Sequence, residues 1–178
     1  MSESSPTLYR SLFLQMVTQA DEDIDLARAA LYLSGTEYPD LDVDHYIGLL
    51  DALAEGAMSH MARSRVGNGK DGRSTVQRLS EFLFVQQGFQ GNGQDYYDPQ
   101  NSYLNRVLDR RTGIPISLSL VFMEVARRLD LVFEGVGLPG HFVIRTGPPQ
   151  QELYVDPFNG GRIMSTEDCQ RLVHELFQ

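Results

Sequence analysis

Cysteine is nearly absent from this sequence, since Cys169 is the only one among 178 residues. A single thiol excludes an internal disulfide and fits a reducing compartment, so we expect a cytoplasmic protein. The chain also lacks an apolar run near the roughly 20 residues that a membrane-spanning helix needs. Its N-terminus has no basic region followed by a cleavage signature. We therefore expect no signal peptide and no membrane partner.

The chain also has few positively charged residues. The chain has 15 lysines and arginines against 24 aspartates and glutamates, a net charge of −9. Because long-range repulsion opposes docking on phosphate groups, we expect no nucleic-acid partner. One local cluster of arginines is interpreted mainly as a solvated face; it contains Arg106, Arg110, Arg111, Arg127 and Arg128.

The rest of the composition is that of a globular protein, with 42% hydrophobic and 22% charged residues. A chain of this length buries about 70% of the surface that its unfolded form exposes, so it has a sufficient core without crosslinks. Length and composition together predict a single domain over residues 1–178.

The first two-thirds of the chain has the apolar spacing of helices. Apolar residues recur at intervals of three and four over residues 8–34, and again after the Tyr38-Pro39-Asp40 turn and over residues 75–89. The intervening "SRVGNGKDGRST" is rich in glycine, asparagine and charge, which predicts a loop.

These patterns predict three subregions. The first is helical and covers residues 1–66. A mobile loop follows over residues 67–74, and a core over residues 75–178.

The last third of the chain has a different pattern. The segments "LVFEGVGLPGHFVIRT" and "QELYVDPFNGGRIM" are β-rich and bounded by glycine and proline, which predicts short strands. Ser165 and Asp168 form a capping-box pattern that predicts a closing helix. The expected fold class is α+β, with the helical N-terminal two-thirds packed on a small antiparallel sheet.

His141 and Asp156 are the residues best placed to carry chemistry. His141 begins one predicted strand and Asp156 ends the next, so the two side chains meet if the strands are antiparallel neighbours. An aspartate bonded to one imidazole nitrogen fixes the tautomer and leaves the other nitrogen for a nucleophile or a ligand. The alternative is structural, with Asp156 as a turn former before Pro157 and His141 as a satisfied hydrogen-bonding residue.

No pattern in the chain predicts a metal or a cofactor. Asp42, Asp44 and His45 lack a further ligand at suitable spacing, so we interpret them as helix-capping residues. The "DYYDPQNSYLN" stretch lacks the alternate-residue ligands of a calcium loop, and local capping and Asx-turns account for it.

Four segments resemble a known family, the bacterial SirB-like transglutaminase-like family, a branch of the papain-like fold. They cover residues from about 25 to 166 and read "IDLARAALYLSGTEYPDLDVDHYIGLLDALA", "FQGNGQDYYDPQNSYLNRVLDRRTGIPISLSLVFMEVARRL", "GVGLPGHFVIR" and "YVDPFNGGRIMS". The resemblance implies a helix-terminal cysteine, a histidine and an aspartate that act in that chain order. His141 and Asp156 match the last two.

The cysteine of that family has no counterpart here. When the family's Gly-x-Cys pattern is placed on Gly113-Ile114-Pro115, the nucleophile position falls on Pro115. Proline carries no nucleophile, and it suits the first position of a helix, where its missing N–H costs nothing. The resemblance therefore implies a chain that has lost its nucleophile.

Two serines follow the proline and are candidate replacements for the missing cysteine. At 100° per residue, Ser117 lies about 200° around the helix from Pro115, and Ser119 lies one turn below it. If the helix instead begins at Leu118, Ser117 becomes its N-cap and is able to face His141.

The leading expectation is a transglutaminase-like domain without the catalytic cysteine, more a binding protein than an enzyme. It would bind a protein or peptide through a cleft that retains the His141–Asp156 pair. The expected cleft residues are Pro115, Ser119, Asn105, Asn159 and Arg162. An alternative is a serine-dependent hydrolase or acyl transferase with Ser117, His141 and Asp156 as its triad, and a third is a scaffold without a site.

Overall fold

The computed structural model describes residues 5–63 and 72–175. Its helices are α1 (Ser5–Val17), α2 (Leu26–Gly35), α3 (Val43–Arg63), α4 (Gly72–Ser80), α5 (Leu104–Arg110), α6 (Pro115–Arg127) and α7 (Thr166–Glu175). Its strands are β1 (Gln90–Gly91), β2 (Thr112–Gly113), β3 (Glu134–Leu138), β4 (His141–Thr146), β5 (Leu153–Asp156) and β6 (Arg162–Met164). Short 3-10 turns cover Asp21–Asp23 and Pro99–Asn101, and a π-helical segment, Glu81–Gln86, continues α4.

The helical half of the chain forms as the apolar spacing predicts. Asp25 caps α2, because its carboxylate accepts a hydrogen bond from the Arg28 backbone N–H at 3.0 Å. The buried faces of α2, α3 and α6 join in one apolar core that includes Leu31, Leu50 and Phe122. None of the helices in the described ranges is long and apolar enough to cross a membrane.

The four main strands form one antiparallel sheet in the order β3-β4-β5-β6. Successive residues of a strand point to opposite faces. Ile144 and Val155 therefore pack on the helical core, whereas Val143 and Tyr154 pack with Cys169 of α7 on the other face. This arrangement confirms the predicted α+β class, a helical majority with a small antiparallel sheet.

The predicted capping box at the start of α7 is present. The Ser165 backbone N–H donates to Asp168 Oδ2 at 2.9 Å, and the Asp168 backbone N–H donates to Ser165 Oγ at 3.2 Å. Both bonds join residues three positions apart, so the sequence pattern was sufficient to predict them.

Two features differ from the sequence prediction. Residues 72–74, predicted as part of a mobile loop, form the first turn of α4, while residues 67–71 of that loop lie outside the described residues. The parallel pair of β1 and β2 was also not predicted, since each strand has two residues within a polar passage. The division of the chain at this loop stays a prediction.

Candidate functional site

The β4–β5 pairing brings His141 and Asp156 together. Ile144 lies opposite Val155, so Asp156 is across from Val143 and diagonal to His141 on the same face of the sheet. His141 Nε2 lies 2.9 Å from Asp156 Oδ2. The geometry does not meet the criteria for a straight hydrogen bond, so this is a close polar contact between the ring nitrogen and the carboxylate. The sequence predicted this contact on the condition that the two strands are antiparallel neighbours, and β4 and β5 are paired in that way.

Asp156 is held firmly in this contact. The carboxyl group accepts hydrogen bonds from the Asn159 backbone N–H at 3.2 Å and from Asn159 Nδ2 at 2.8 Å. Burial alone would raise the pKa of Asp156, but the close contact with His141 and the hydrogen bonds from Asn159 outweigh burial and lower that pKa. Asp156 therefore stays a carboxylate and orients the imidazole ring.

A row of aromatic rings leads from His141 to the surface. The rings of His141 and Phe158 form an edge-to-face contact with their centroids 6.2 Å apart. The rings of Phe158 and Tyr96 do the same with their centroids 5.9 Å apart. Tyr96 in turn meets Tyr97 at 5.4 Å, and Tyr97 is 91% exposed. Because Nε2 faces the carboxylate, Nδ1 is the ring nitrogen that remains for a ligand.

The turn after β5 fits closely against two other segments. A Cβ at Gly91 would lie 2.5 Å from the Phe158 carbonyl oxygen, and one at Gly161 would collide with the Phe84 ring. Phe84 belongs to the π-helical segment, an irregular helix that re-aims side chains. These two glycines allow Phe158 and Asn159 to sit where they contact His141 and Asp156.

The start of α6 differs from one alternative prediction. The helix begins at Pro115, with Ile114 as the N-cap. A start at Leu118, which the serine-hydrolase alternative required, is therefore wrong. Pro115 is buried at the first helical position, as its missing N–H predicts.

The Ser117 hydroxyl is used inside the structure. Its Oγ donates to the Asn101 carbonyl oxygen at 2.6 Å or the Ile114 carbonyl oxygen at 3.2 Å. The same oxygen accepts a hydrogen bond from the Ile114 backbone N–H at 3.1 Å. Ser117 is 4% exposed, and no hydrogen bond joins it to His141 in the described part of the chain. The single hydroxyl proton of Ser117 is therefore donated to a backbone carbonyl oxygen, that of Asn101 or that of Ile114.

The other predicted cleft residues divide into two groups. Asn159 and Arg162 lie at the His141–Asp156 pair: Asn159 binds the carboxylate, and exposed Arg162 is the partner of Asp156 in the β5–β6 register. Ser119 is fully buried in α6, with its Oγ unpaired. Asn105 is buried beside Tyr46 of α3.

Asn101 is a residue that the sequence interpretation missed. Its Nδ2 donates to the backbone oxygens of Asp95 at 2.8 Å and Tyr96 at 3.2 Å, and its own carbonyl oxygen accepts from Ser117. This residue joins the loop of Tyr96 to the start of α6. The polar run around it indicated caps and turns, and Asp98 does cap Gln100 at 3.0 Å. That run gave no signal that Asn101 is completely buried.

No metal centre is evident in residues 5–63 and 72–175, where no three histidine, cysteine, aspartate or glutamate side chains are grouped to hold an ion. The single cysteine is no substitute nucleophile either. Burial and, to a smaller extent, the Asp168 and Asp156 carboxylates raise the pKa of the Cys169 thiol to about 11.

The sequence is similar to proteins of bacteria and of animals. A UPF0162 protein of Xylella fastidiosa is 40% identical over 162 residues, which cover 91% of this chain and 56% of that protein. A UPF0162 protein of Pseudomonas aeruginosa is 34% identical over 160 residues, 88% of this chain and 55% of that protein. F-box only protein 21 of Homo sapiens is 38% identical over 103 residues, 53% of this chain and 16% of that protein.

The chain thus spans about half the length of the bacterial relatives it matches. No solved structure matches it. The model of the transglutaminase-like superfamily (Transglut_core2) matches residues 44–178, which include α6, His141 and Asp156. Because that match covers most of the chain, the protein belongs to the transglutaminase-like superfamily.

Proposed function

We propose that this transglutaminase-like chain binds a peptide or protein segment at the His141–Asp156 pair and does not catalyse acyl transfer. The observation that carries the proposal is the start of α6. Pro115 occupies the position that the family resemblance assigns to the nucleophile, and its side chain has no group that attacks a carbonyl carbon. A retained histidine and aspartate without a nucleophile are suited to hold a ligand.

The surroundings of the pair support binding of an extended polypeptide. Tyr97 and Tyr96 offer ring faces at the surface, and aromatic rings are the commonest anchors in protein recognition. Exposed Arg162, which makes no ion pair in the described ranges, offers a guanidinium group for a carboxylate or a carbonyl oxygen. His141 Nδ1 supplies a further hydrogen-bonding atom.

The binding test starts from a display library of unbiased peptides selected on the wild-type chain. Enriched peptides should bind about tenfold or more weakly to Tyr97→Ala and to Arg162→Ala, because each change removes an anchor. Met58→Ala is the matched control, since Met58 is 57% exposed on α3, and it should leave affinity unchanged. If the enriched peptides bind all three variants equally, the site lies elsewhere.

A second assay tests the absence of catalysis. Peptide, ester and amide substrates should show no turnover above that of His141→Ala. Turnover that His141→Ala abolishes would contradict the proposal. Labelling by a serine-directed fluorophosphonate that disappears in Ser117→Ala would favour the serine-hydrolase alternative instead. We expect no such labelling, because the Ser117 proton is committed to the Asn101 and Ile114 carbonyls.

Two finer assignments belong to the same proposal. We infer that the chain is of the SirB-like branch, which its similarity to bacterial UPF0162 proteins supports. A cytoplasmic location is supported by the single, buried Cys169, since secreted domains commonly pair their cysteines.

A further inference from the structure

A second surface, separate from the His141–Asp156 pair, is an apolar groove of about 590 Å³. Two helices form its sides, each with apolar residues at positions i, i+4 and i+7, which lie on one face of a helix. The sides are Leu26, Ala30 and Leu33 of α2 and Ile116, Leu120 and Met123 of α6. Neither His141 nor Asp156 lines this groove.

The groove leaves large apolar side chains uncovered. Leu26 and Leu33 are each 45% exposed, and Ile116 is 55% exposed. Three such residues facing one depression form the kind of contiguous apolar patch that marks an interaction site. Only serines contribute polar side chains to the lining, so the groove has no charged group to orient a small polar substrate.

The chain that borders one end of the groove is acidic. Val17 and Ile24 both line the groove, and the 3-10 turn Asp21–Asp23, whose carboxylates are not part of the lining, lies between them in sequence. The three carboxylates of that turn are exposed, and none forms an ion pair with another described residue. An apolar floor with a negative end is complementary to an apolar ligand with a positive end.

We propose that this groove binds an amphipathic helix of a partner protein, with its apolar face between α2 and α6 and its basic residues against Asp21–Asp23. Each side extends from residue i to residue i+7, a rise of about 10 Å at 1.5 Å per residue, which is the length of two helical turns. Apolar anchors at i, i+3 or i+4 and i+7 are how helices occupy such grooves.

The charge of the chain disfavours two other occupants. A second copy would carry the same net charge of −9 towards the same acidic turn, so the two copies would repel each other. An anionic lipid surface would be repelled for the same reason. A basic helix, in contrast, is attracted by the negative charge that repels a second copy or an anionic lipid surface.

The test is a display library of helical peptides with leucine fixed at i, i+3, i+4 and i+7 and random residues at the flanking positions. Selection on the wild-type chain should enrich arginine and lysine at one end of the peptide. Fluorescence anisotropy then gives the affinity of the enriched peptides. Absence of enrichment, or enrichment of acidic residues, would overturn the proposal.

Two pairs of variants locate the binding. Leu33→Lys should weaken it by about 10- to 100-fold, since it removes an apolar anchor and adds repulsion. A cation suits this position in the last turn of α2, so the fold is retained. Val85→Lys is the control with the same added charge, because Val85 is 74% exposed and outside the groove. An equal loss of peptide affinity in Leu33→Lys and Val85→Lys would contradict the assignment of the groove.

The second pair tests the acidic end. Asp21→Asn with Asp23→Asn should weaken binding and flatten its dependence on salt. Glu37→Gln with Glu55→Gln makes the same change in net charge at other exposed positions and should have a smaller effect. Sedimentation tests whether the occupant is a second copy of the chain. A wild-type dimer that Leu33→Lys converts to a monomer would overturn the proposal. None of these results depends on the His141–Asp156 pair, so Tyr97→Ala should bind the basic helix normally.

Discussion

Two serines on α6, Ser117 and Ser119, lie in opposite hydrogen-bonding environments although both are buried. The Ser117 hydroxyl bonds both to the cap of its own helix and to the loop at Asn101. The Ser119 hydroxyl has no partner in the described structure, so the desolvation of this group is uncompensated. The same residue type therefore stabilises the fold at one position and costs free energy at the other.

We predict opposite effects of alanine at these two serines. Ser117→Ala should lower the free energy of unfolding by about 1–2 kcal/mol, because it leaves the Ile114 N–H and the Asn101 carbonyl without their partner. Ser119→Ala should leave the free energy unchanged or raise it, since no bond is lost. Urea denaturation of both variants measures this difference, and equal destabilisation would contradict it.

The lowered pKa of Asp156 predicts that the stability of the fold decreases at acid pH. The pKa of Asp156 in the folded chain lies below the ordinary value of an aspartate, so the unfolded state takes up the proton first as pH falls. The stabilisation is fully present above about pH 4 and is lost as pH falls through the folded pKa. Urea denaturation at a series of pH values should show that Asp156→Asn differs most from the wild type above that pH. A constant difference down to strongly acid pH would contradict this assignment.

Asn159 supplies a graded control for that experiment. Asn159→Ala removes the side-chain bond at 2.8 Å but leaves the contact with His141. Its pH dependence should therefore fall between those of the wild type and Asp156→Asn.

At the scale of elements, the turn between β5 and β6 depends on two adjacent glycines. Gly160 and Gly161 have φ values of +70° and +71°, in the left-handed region. A Cβ at Gly160 meets open space, whereas one at Gly161 collides with the Phe84 ring. The two positions share a left-handed φ and differ in packing.

The two glycines therefore separate conformational strain from steric overlap. Gly160→Ala should cost about 1–2 kcal/mol, the cost of a left-handed residue with a Cβ. Gly161→Ala should cost about 1–3 kcal/mol more, because Phe84 and the π-helical segment must shift. Thermal and urea denaturation of the two variants test this, and equal costs would show that Phe84 moves freely.

At the scale of the whole molecule, Cys169 reports on how α7 is held against the sheet. The thiol is 6% exposed and packs with Val143, Tyr154 and Met164. Its pKa is raised to about 11 by burial first and by the Asp168 and Asp156 carboxylates second. Near pH 8 the folded chain therefore keeps this thiol both covered and neutral.

We predict that a thiol reagent labels Cys169 slowly at pH 8 in the native chain and rapidly in urea, because only the thiolate reacts. The Gly161→Ala variant, if destabilised as expected, should label faster than the wild type, since the open state is more populated. Native labelling as fast as that of the unfolded chain would show that α7 is not held on the sheet.

The arginine cluster shows how packing changes the meaning of a sequence pattern. It was interpreted mainly as a solvated face, but its members find partners in the fold. Arg110 lies 2.9 Å from Asp98, Arg128 lies 2.6 Å from Glu124, and Arg111 stacks on Phe89. Arg128 also lies 2.6 Å from Asp51, which is 77 positions away in sequence, so only the folded helices show which carboxylates are in reach.

The sequence by itself determined the features that depend on neighbours three or four positions apart. These include the Ser165–Asp168 capping box and the turn glycines, whereas the sequence favoured Pro115 as the first residue of α6 and left a start at Leu118 open. Local backbone conformation follows from proline, glycine and capping side chains wherever the chain folds, so a pattern is enough.

Only the tertiary structure decided the contacts between distant segments. It brought His141 to Asp156, joined Asn101 to Ser117, and set α2 beside α6 to form the groove. Such contacts depend on strand register and on how whole helix faces pack, and many pairings of the same local patterns are compatible with one sequence. The pattern identified the candidate side chains, and packing decided which of them meet.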